Sequence, residues 1–209
     1  TNTTFNNNIS VIPANVTVFD LINVSVVYGN NRTMVISGKV SNSTYGVKYN
    51  GLINITITNG VKTFVSNNIL VVNGTFNGDV IDMGNLTSGS YDVIISSNLV
   101  NNYTFESKTF TNNVTVLKYN VTAVITKVNI TYGDYNAINI YGNVSNSSYG
   151  LLYNGFIDVV VGNHTYNNVE VKNGRFTVEI NDLSNYNVSI NNVSVSEVVI
   201  NDNYVLNNV

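Results

Sequence analysis

VSNSTYGVKYNG, at residues 40–51, returns as VSNSSYGLLYNG at residues 144–155. Nine of the twelve letters agree, and no other stretch of the chain recurs as closely. A segment written twice is either a binding motif used twice or a turn that a fold needs each time it is built. What is kept decides between them. Gly46, Asn50 and Gly51, residues that tolerate positive φ, return as Gly150, Asn154 and Gly155. Val47-Lys48 becomes Leu151-Leu152, so a charge is lost. A contact motif would protect its charge. The segment therefore reads as a strand-to-strand crossover, with Val40 ending one strand and Leu52 starting the next.

Around it, apolar residues alternate with period two, as half-buried strands require. Met34, Ile36, Gly38 and Val40 share one face, Ile53, Ile55 and Ile57 another, and Val24, Val26 and Tyr28 a third. No helical spacing persists for ten residues. The chain is expected to be all-β.

The duplication extends well beyond the twelve residues. Asn15-Val16-Thr17 returns at 120–122, Tyr28-Gly29 at 132–133, Gly38 at 142, and Asn73-Gly74-Thr75-Phe76 as Asn173-Gly174-Arg175-Phe176. Tyr91-Asp92-Val93 is matched with Tyr186-Asn187-Val188, and residues 110–114 with 205–209. Two tandem domains follow, 14–117 and 118–209, after a polar lead-in at 1–13 that ends in Pro13. The second is expected to end about two residues early, with its last strand clipped. The join, TVLKYNVTAV, has no Pro, Gly or Ser-rich linker, which predicts a stiff end-to-end pair.

About seven strand-like runs in each 90–105 residues fit an immunoglobulin-like β-sandwich; an up-and-down barrel fits the long repeat less well. Leu86-Thr87-Ser88-Gly89-Ser90-Tyr91-Asp92-Val93 has the form of a tyrosine corner, whose hydroxyl bonds back to the backbone just upstream. In the second copy Tyr186 is kept and the Gly is lost.

Composition removes whole chemistries. Of 209 residues only 10% are charged, against about a quarter in ordinary domains. A net charge of −3 with no basic patch argues against nucleic acid. No apolar run approaches the roughly 18 residues of a membrane span, and no signal peptide opens the sequence, so an exported protein would contain it as an excised segment. With no Cys there is no disulfide, thiolate or Cys-ligated zinc. The single His, His164, reads as a solvated hairpin-turn residue, and no G-x-S-x-G elbow accompanies it. The absence of Gln excludes Thr–Gln ester and Cys–Gln thioester cross-links. A Lys–Asn isopeptide is disfavoured, because Lys39 and Lys127 fall on outward parity and Lys48 and Lys62 in turns. Calcium would need clustered charged oxygens; Asp79 with Asp82, and Asp202 between Asn201 and Asn203, are thin versions of that, and solvated loops are the plainer reading. No cofactor is expected.

Asn is abundant, 42 residues, and forms 18 N-x-S/T sequons. Such an excess favours a glycosylated extracellular surface, with Asn42, Asn73, Asn85, Asn146 and Asn163 as candidate sites. Strand geometry offers a second cause: residues i and i+2 face the same way, so outward Asn, Ser and Thr generate N-V-T automatically. In both readings these Asn face water. Candidate ligand contacts are Tyr45, Tyr49, Tyr149 and Tyr153, aromatics of the repeat whose faces would stack on a sugar.

The run Y-G-(N/D), G-x-V-S, Y-N-G, N-G-x-F and L-x-x-G-x-Y-x-V resembles the bacterial-type Ig-like repeats of adhesin-like surface proteins, most nearly those of methanogenic archaea. The resemblance spans almost the whole chain and rests on turn and core residues. It implies a non-enzymatic, extracellular, cell-surface segment: a stalk or spacer contributing an attachment surface. Its implied partners are a glycan or protein of another cell or matrix and neighbouring Ig-like repeats, with no membrane insertion by this segment. The alternative is a carbohydrate-binding or accessory module of an extracellular enzyme.

Overall fold

The computed structural model describes residues 3–4, 6–7, 9–29, 34–42, 44–79, 86–97, 102–131, 133, 136–146, 152–184, 186, 191–197 and 203–207. Sixteen strands and no helix form among them. The chain divides into two compact units, Thr1–Val26 with Asn31–Val116, and Val27–Asn30 with Leu117–Val209. Each is a two-sheet, immunoglobulin-like β-sandwich. The assignment of Val27–Asn30 to the second unit has no signal in the sequence.

In the first unit the strands are β1 (Ala14–Leu21), β2 (Val24–Val27), β3 (Val35–Ser41), β4 (Gly51–Thr58), β5 (Thr63–Val71), β6 (Thr75–Asp79), β7 (Gly89–Ser96), β8 (Tyr103–Glu106) and β9 (Lys108–Leu117). One sheet has the order β6-β3-β1-β8, the other β2-β9-β7-β4-β5. The alternation in the sequence becomes the core. Met34 just before β3, Ile36 and Val40 of the first sheet, and Ile53, Ile55, Ile57, Val93 and Ile95 of the second, are all at most 2% exposed. β8 and β9 are one extended run broken at Ser107. Its first half pairs parallel to β1 and its second half antiparallel to β7, so the chain changes sheets there. The Ser107 hydroxyl donates to the Ile95 carbonyl at 3.2 Å across the break.

The second unit holds β10 (Tyr119–Ile125), β11 (Ile138–Ser145), β12 (Gly155–Val161), β13 (His164–Val171), β14 (Arg175–Ile180), β15 (Val193–Glu197) and β16 (Tyr204–Asn207). Its sheets are β14-β11-β10-β16 and β13-β12-β15. Its core gathers Tyr119, Val121, Val144, Tyr153, Ile157, Val159 and Phe176.

Strand pairing corrects two sequence matches. Val93 lies opposite Ile57, and Val193 lies opposite Val161 in the same place of the second unit. The counterpart of Tyr91 is therefore Asn191, and Tyr186 is a loop residue preceding β15. Likewise β8 and β16 each run parallel to the first strand of their unit, with Tyr103 opposite Ala14 and Tyr204 opposite Tyr119. Residues 204–207 thus correspond to 103–106, and 205–207 do not correspond to 110–112. In both cases a local Tyr-polar-Val or Val-Asn string resembled the wrong strand, because outward Asn and inward Val recur in nearly every strand here.

His164 is also corrected. The two-residue turn is Gly162-Asn163, with Gly162 at φ 59°, while His164 begins β13 opposite Val161 and is half-buried.

Candidate functional site

The described ends of the duplicated segment form the same lock in both units. The chain leaves β3 at Ser41, bridges back at Lys48, and enters β4 at Gly51; Ser145, Leu152 and Gly155 repeat this. Tyr49 turns inward, 1% exposed, and donates its hydroxyl to the Leu52 carbonyl at 3.0 Å; Tyr153, also 1% exposed, donates to Phe156 at 3.1 Å. A tyrosine buried this way satisfies its polar end locally while its ring fills the core. Tyr49 packs edge-on against Tyr103 and Phe105, and Tyr153 against Tyr204.

The neighbouring residues pin a second turn. The Asn50 side-chain oxygen accepts the Asn73 backbone N–H at 2.7 Å, and Asn154 accepts that of Asn173 at 2.7 Å. Asn73 and Asn173 have φ of 52° and 51°, a left-handed backbone that Asn tolerates. Gly74 N–H donates to the Tyr49 carbonyl and its own carbonyl accepts Val40 N–H; Gly174, Tyr153 and Val144 do the same. Y-N-G and N-G-x-F, whose bonded asparagines are 23 residues apart in the first unit and 19 in the second, are thus two halves of one hydrogen-bonded knot. Phe76 completes it from β6, lying opposite Gly38, where a Cβ would be 2.9 Å from its ring; Phe176 lies opposite Gly142 in the same way.

These positions correct two of the four candidate ligand contacts. Tyr49 and Tyr153 are core residues whose ring faces are closed to a sugar. Tyr45 is 81% exposed and stands on a turn whose two amides, Thr44 N–H and Tyr45 N–H, donate to the Asn42 side-chain oxygen at 2.9 and 2.7 Å. Tyr149 lies outside the described residues.

The candidate glycosylation sites divide similarly. Asn42 holds the Tyr45 turn and donates its amide to the Asn15 carbonyl; Asn146 donates to the Asn120 carbonyl at 2.7 Å. Both are structural anchors. Asn73 and Asn163 point to solvent from turns. Asn85 lies outside the described residues. Not every sequon Asn faces water: Asn113 is 5% exposed, with its amide donating to the Asn23 side-chain oxygen at 2.6 Å.

The tyrosine corner forms in the first unit. Tyr91, fully buried, donates its hydroxyl to the Thr87 carbonyl at 2.9 Å and accepts Thr87 N–H at 3.0 Å. Tyr186 does something else: its hydroxyl meets that of Tyr166 at 3.0 Å and its ring lies 4.8 Å from the His164 ring. Burial, then the bond to Tyr166, raises the Tyr186 phenol well above its ordinary range. His164 Nδ1 is buried without a hydrogen-bond partner among the described residues. Asp182 is nearby electrostatically; its bonds to Ser184 first, and His164 last, hold its carboxyl below the usual value. Sequence periodicity gave no sign of this cluster, because its members come from a strand and a loop. It brings together an imidazole and two phenols.

An open groove of about 580 Å³ runs between β13 and β14, lined by Tyr166, Glu170, Arg175, Phe176 and Glu179. Among the described residues no three His, Asp or Glu side chains gather as metal ligands would. Lys39 is outward as expected and pairs with Asp20 at 2.7 Å, both side chains about half exposed, an arrangement worth little in water.

No family model matches the chain and no curated protein matches it. Similar solved structures include a tetra-tandem repeat from the extending region of a large adhesion protein, 17% identical with a TM-score of 0.44, covering 87% of this chain and 44% of that one. Another is a 1.5-MDa bacterial ice-binding adhesin, 14% identical with a TM-score of 0.32, covering 80% and 54%. A third is the FN1-FN3 region of chicken CNTN1, 12% identical with a TM-score of 0.35, covering 88% and 60%. The chain spans about half the length of the first two. The sheet orders, rather than these likenesses, establish the sandwich.

Proposed function

We propose that this chain is a non-enzymatic segment of a cell-surface, adhesin-like protein, a spacer built from repeated sandwich units, of the kind the sequence resembles in methanogenic archaea. One observation carries the reading: apart from Tyr45, which is exposed, the residues duplicated between units and described in the structure are chiefly spent on internal locks. Tyr49, Asn50, Gly51, Asn73, Gly74 and Phe76 bond or pack to each other, and their counterparts do the same. A catalytic or binding motif would direct its kept side chains outward. Duplicating a scaffold without duplicating a site suits a protein whose task is to extend. Outward strand positions carry Asn, Ser and Thr, neutral groups that remain hydrated without charge, and sugars on Asn73 and Asn163 would reinforce them.

A test is immunolabelling of intact source cells with antibodies raised against this segment. Labelling at the surface supports the reading; antigen found only after cells are opened overturns it.

A second reading, a glycan-binding module, is favoured by the exposed Tyr45 ring and the groove at Arg175. Glycan-array binding that is lost in Tyr45→Ala would establish it at the first unit, and binding lost in Arg175→Ala would establish it at the second. An array without binding would leave the spacer as the sole role.

A further inference from the structure

The two units share a fold but differ on an outer face. In the second unit β11 turns Asn139, Tyr141 and Asn143 outward, and β14 turns Glu179, Thr177 and Arg175 outward. The register sets them opposite one another, Asn139 with Glu179, Tyr141 with Thr177 and Asn143 with Arg175. All six are exposed, while the residues between them are buried. Tyr141, at the centre, is 54% exposed. Among the described residues its hydroxyl has no hydrogen-bond partner and its ring no aromatic neighbour.

The first unit has no ring here. Tyr141 stands in the place of Ser37: Ile22 N–H donates to the Ser37 carbonyl at 3.1 Å, and Thr126 N–H donates to the Tyr141 carbonyl at 2.9 Å. Beside Ser37, Asp20 and Lys39 close the face with an ion pair. Val124 and Asn143 hold those two places in the second unit and form none. Thr75 and Asp79 are replaced by Arg175 and Glu179, which join no ion pair among the described residues.

An exposed ring on a strand is ordinary when taken alone. What singles out Tyr141 is its surroundings. Two amides, a guanidinium, a carboxylate and a hydroxyl flank one π-face, and all can donate or accept hydrogen bonds. The guanidinium and the carboxylate balance, so the face is electrically neutral overall. A phosphate backbone would need several cations. A small apolar ligand would need a concave pocket rather than a sheet face. A neutral sugar needs what is present: an aromatic face for the C–H side of its ring, and planar polar groups at the flanks for its hydroxyls.

We propose that the outer face of β11 and β14 in the second unit is a binding platform for a neutral oligosaccharide. Tyr141 stacks on one sugar ring, and Arg175, Asn143, Asn139 and Glu179 hydrogen-bond the hydroxyls of that ring and its neighbours. Asn139 and Asn143 lie four residues apart on one strand, about 13 Å, which is longer than one sugar. The platform therefore reads a chain rather than a monosaccharide. The groove of about 580 Å³ shares Arg175, Thr177 and Glu179, so a chain lying over Tyr141 can continue past β14. This site rests on the glycan-binding reading at the second unit and lies outside the duplicated lock.

The test places the full 209-residue chain on an array of neutral and sialylated oligosaccharides of glucose, mannose, galactose and N-acetylglucosamine. The neutral oligosaccharide bound best is then titrated by calorimetry. It should bind more tightly than its monosaccharide. Tyr141→Ala and Arg175→Ala should each weaken it at least about tenfold, and Tyr141→Phe, which keeps the ring, less than about threefold. Ser37→Ala, at the same place in the first unit, should change nothing. Amide NMR shifts on adding that oligosaccharide to the unsubstituted chain should fall on β11 and β14, whether or not any variant folds. No binding on the array, a preference for sialylated glycans, or shifts confined to β12 and β13 would overturn the proposal. Binding lost in Tyr45→Ala but intact in Tyr141→Ala would keep the glycan-binding reading and overturn this site. A Tyr141→Ala chain that melts lower yet binds as before would reduce the ring to a cover for the sheet, and would overturn it as well.

Discussion

The Tyr49 hydroxyl lies directly over Gly51: a Cβ on that glycine would be 2.5 Å from the oxygen, and Tyr153 stands over Gly155 at 2.6 Å. The tyrosine reaches its acceptor, one residue further on, only because nothing projects from the glycine. Two letters of the repeat are thereby one structural decision.

Gly51→Ala should therefore destabilise the first unit by about 2–3 kcal/mol, the usual cost of a forced overlap in a packed site. Tyr49→Phe should cost about 1 kcal/mol, by removing one of two hydroxyls that donate to the Leu52 carbonyl, the other being Ser97 at 2.7 Å. In urea unfolding the double variant should be less destabilised than the sum, since the phenylalanine no longer presents an oxygen to the new methyl. Strict additivity would contradict the relationship.

Tyr91→Phe and Tyr186→Phe should separate the two tyrosines that the sequence had equated. The first breaks a corner fully inside the protein and should cost about 1–2 kcal/mol. The second removes half of a hydroxyl pair at the edge of the fold and should cost less than about 1 kcal/mol. Urea unfolding that resolves the two units measures both; equal losses would restore the equivalence.

Alkaline pH should weaken the second unit. The phenols of Tyr186 and Tyr204 are raised above their ordinary value of 10.0, chiefly by burial. Above pH 10 the unfolded chain ionises while the folded one stays protonated, so the unfolded state holds fewer protons and stability falls as pH rises toward the folded values. Below pH 10 their contribution is fully present. Melting between pH 8 and 11.5 should show the second unit declining, with a shallower slope in Tyr186→Phe.

Sugars, where present, should follow side-chain freedom. Peptide mapping of protein from its native source is expected to find glycans at Asn73 and Asn163. None is expected at Asn42, Asn146 or Asn113, whose amides are already bonded to the protein. Occupancy at Asn42 would require its anchor on the Asn15 carbonyl to be given up. Asn42→Ala should in turn cost about 1 kcal/mol by releasing the Tyr45 turn.

Much of this fold was legible because it is written with period two. The faces carrying Ile53, Ile55 and Ile57 or Met34, Ile36 and Val40 emerged buried as the alternation required. The tyrosine corner at Tyr91 was legible because its bond is local, four residues long. Long-range matters were not. The pairing of Asn50 with Asn73 and the burial of Tyr49 depend on a strand more than twenty residues away. A tyrosine beside turn residues looks exposed in sequence, whether it points out, as Tyr45 does, or in. The strands β15 and β16 were misplaced for a related reason: inward valines and outward asparagines are so common that similarity of a short string carries little register information.

The central claim is that the duplicated segment builds the fold and does not bind a ligand. Native-state hydrogen exchange on Tyr153→Leu tests it most directly, with glycan-array binding measured on the same sample. The account predicts that amides of β11, β12 and β14 lose protection throughout the second unit, that the first unit is unchanged, and that any glycan binding by folded protein persists. Undiminished protection together with lost binding would contradict it.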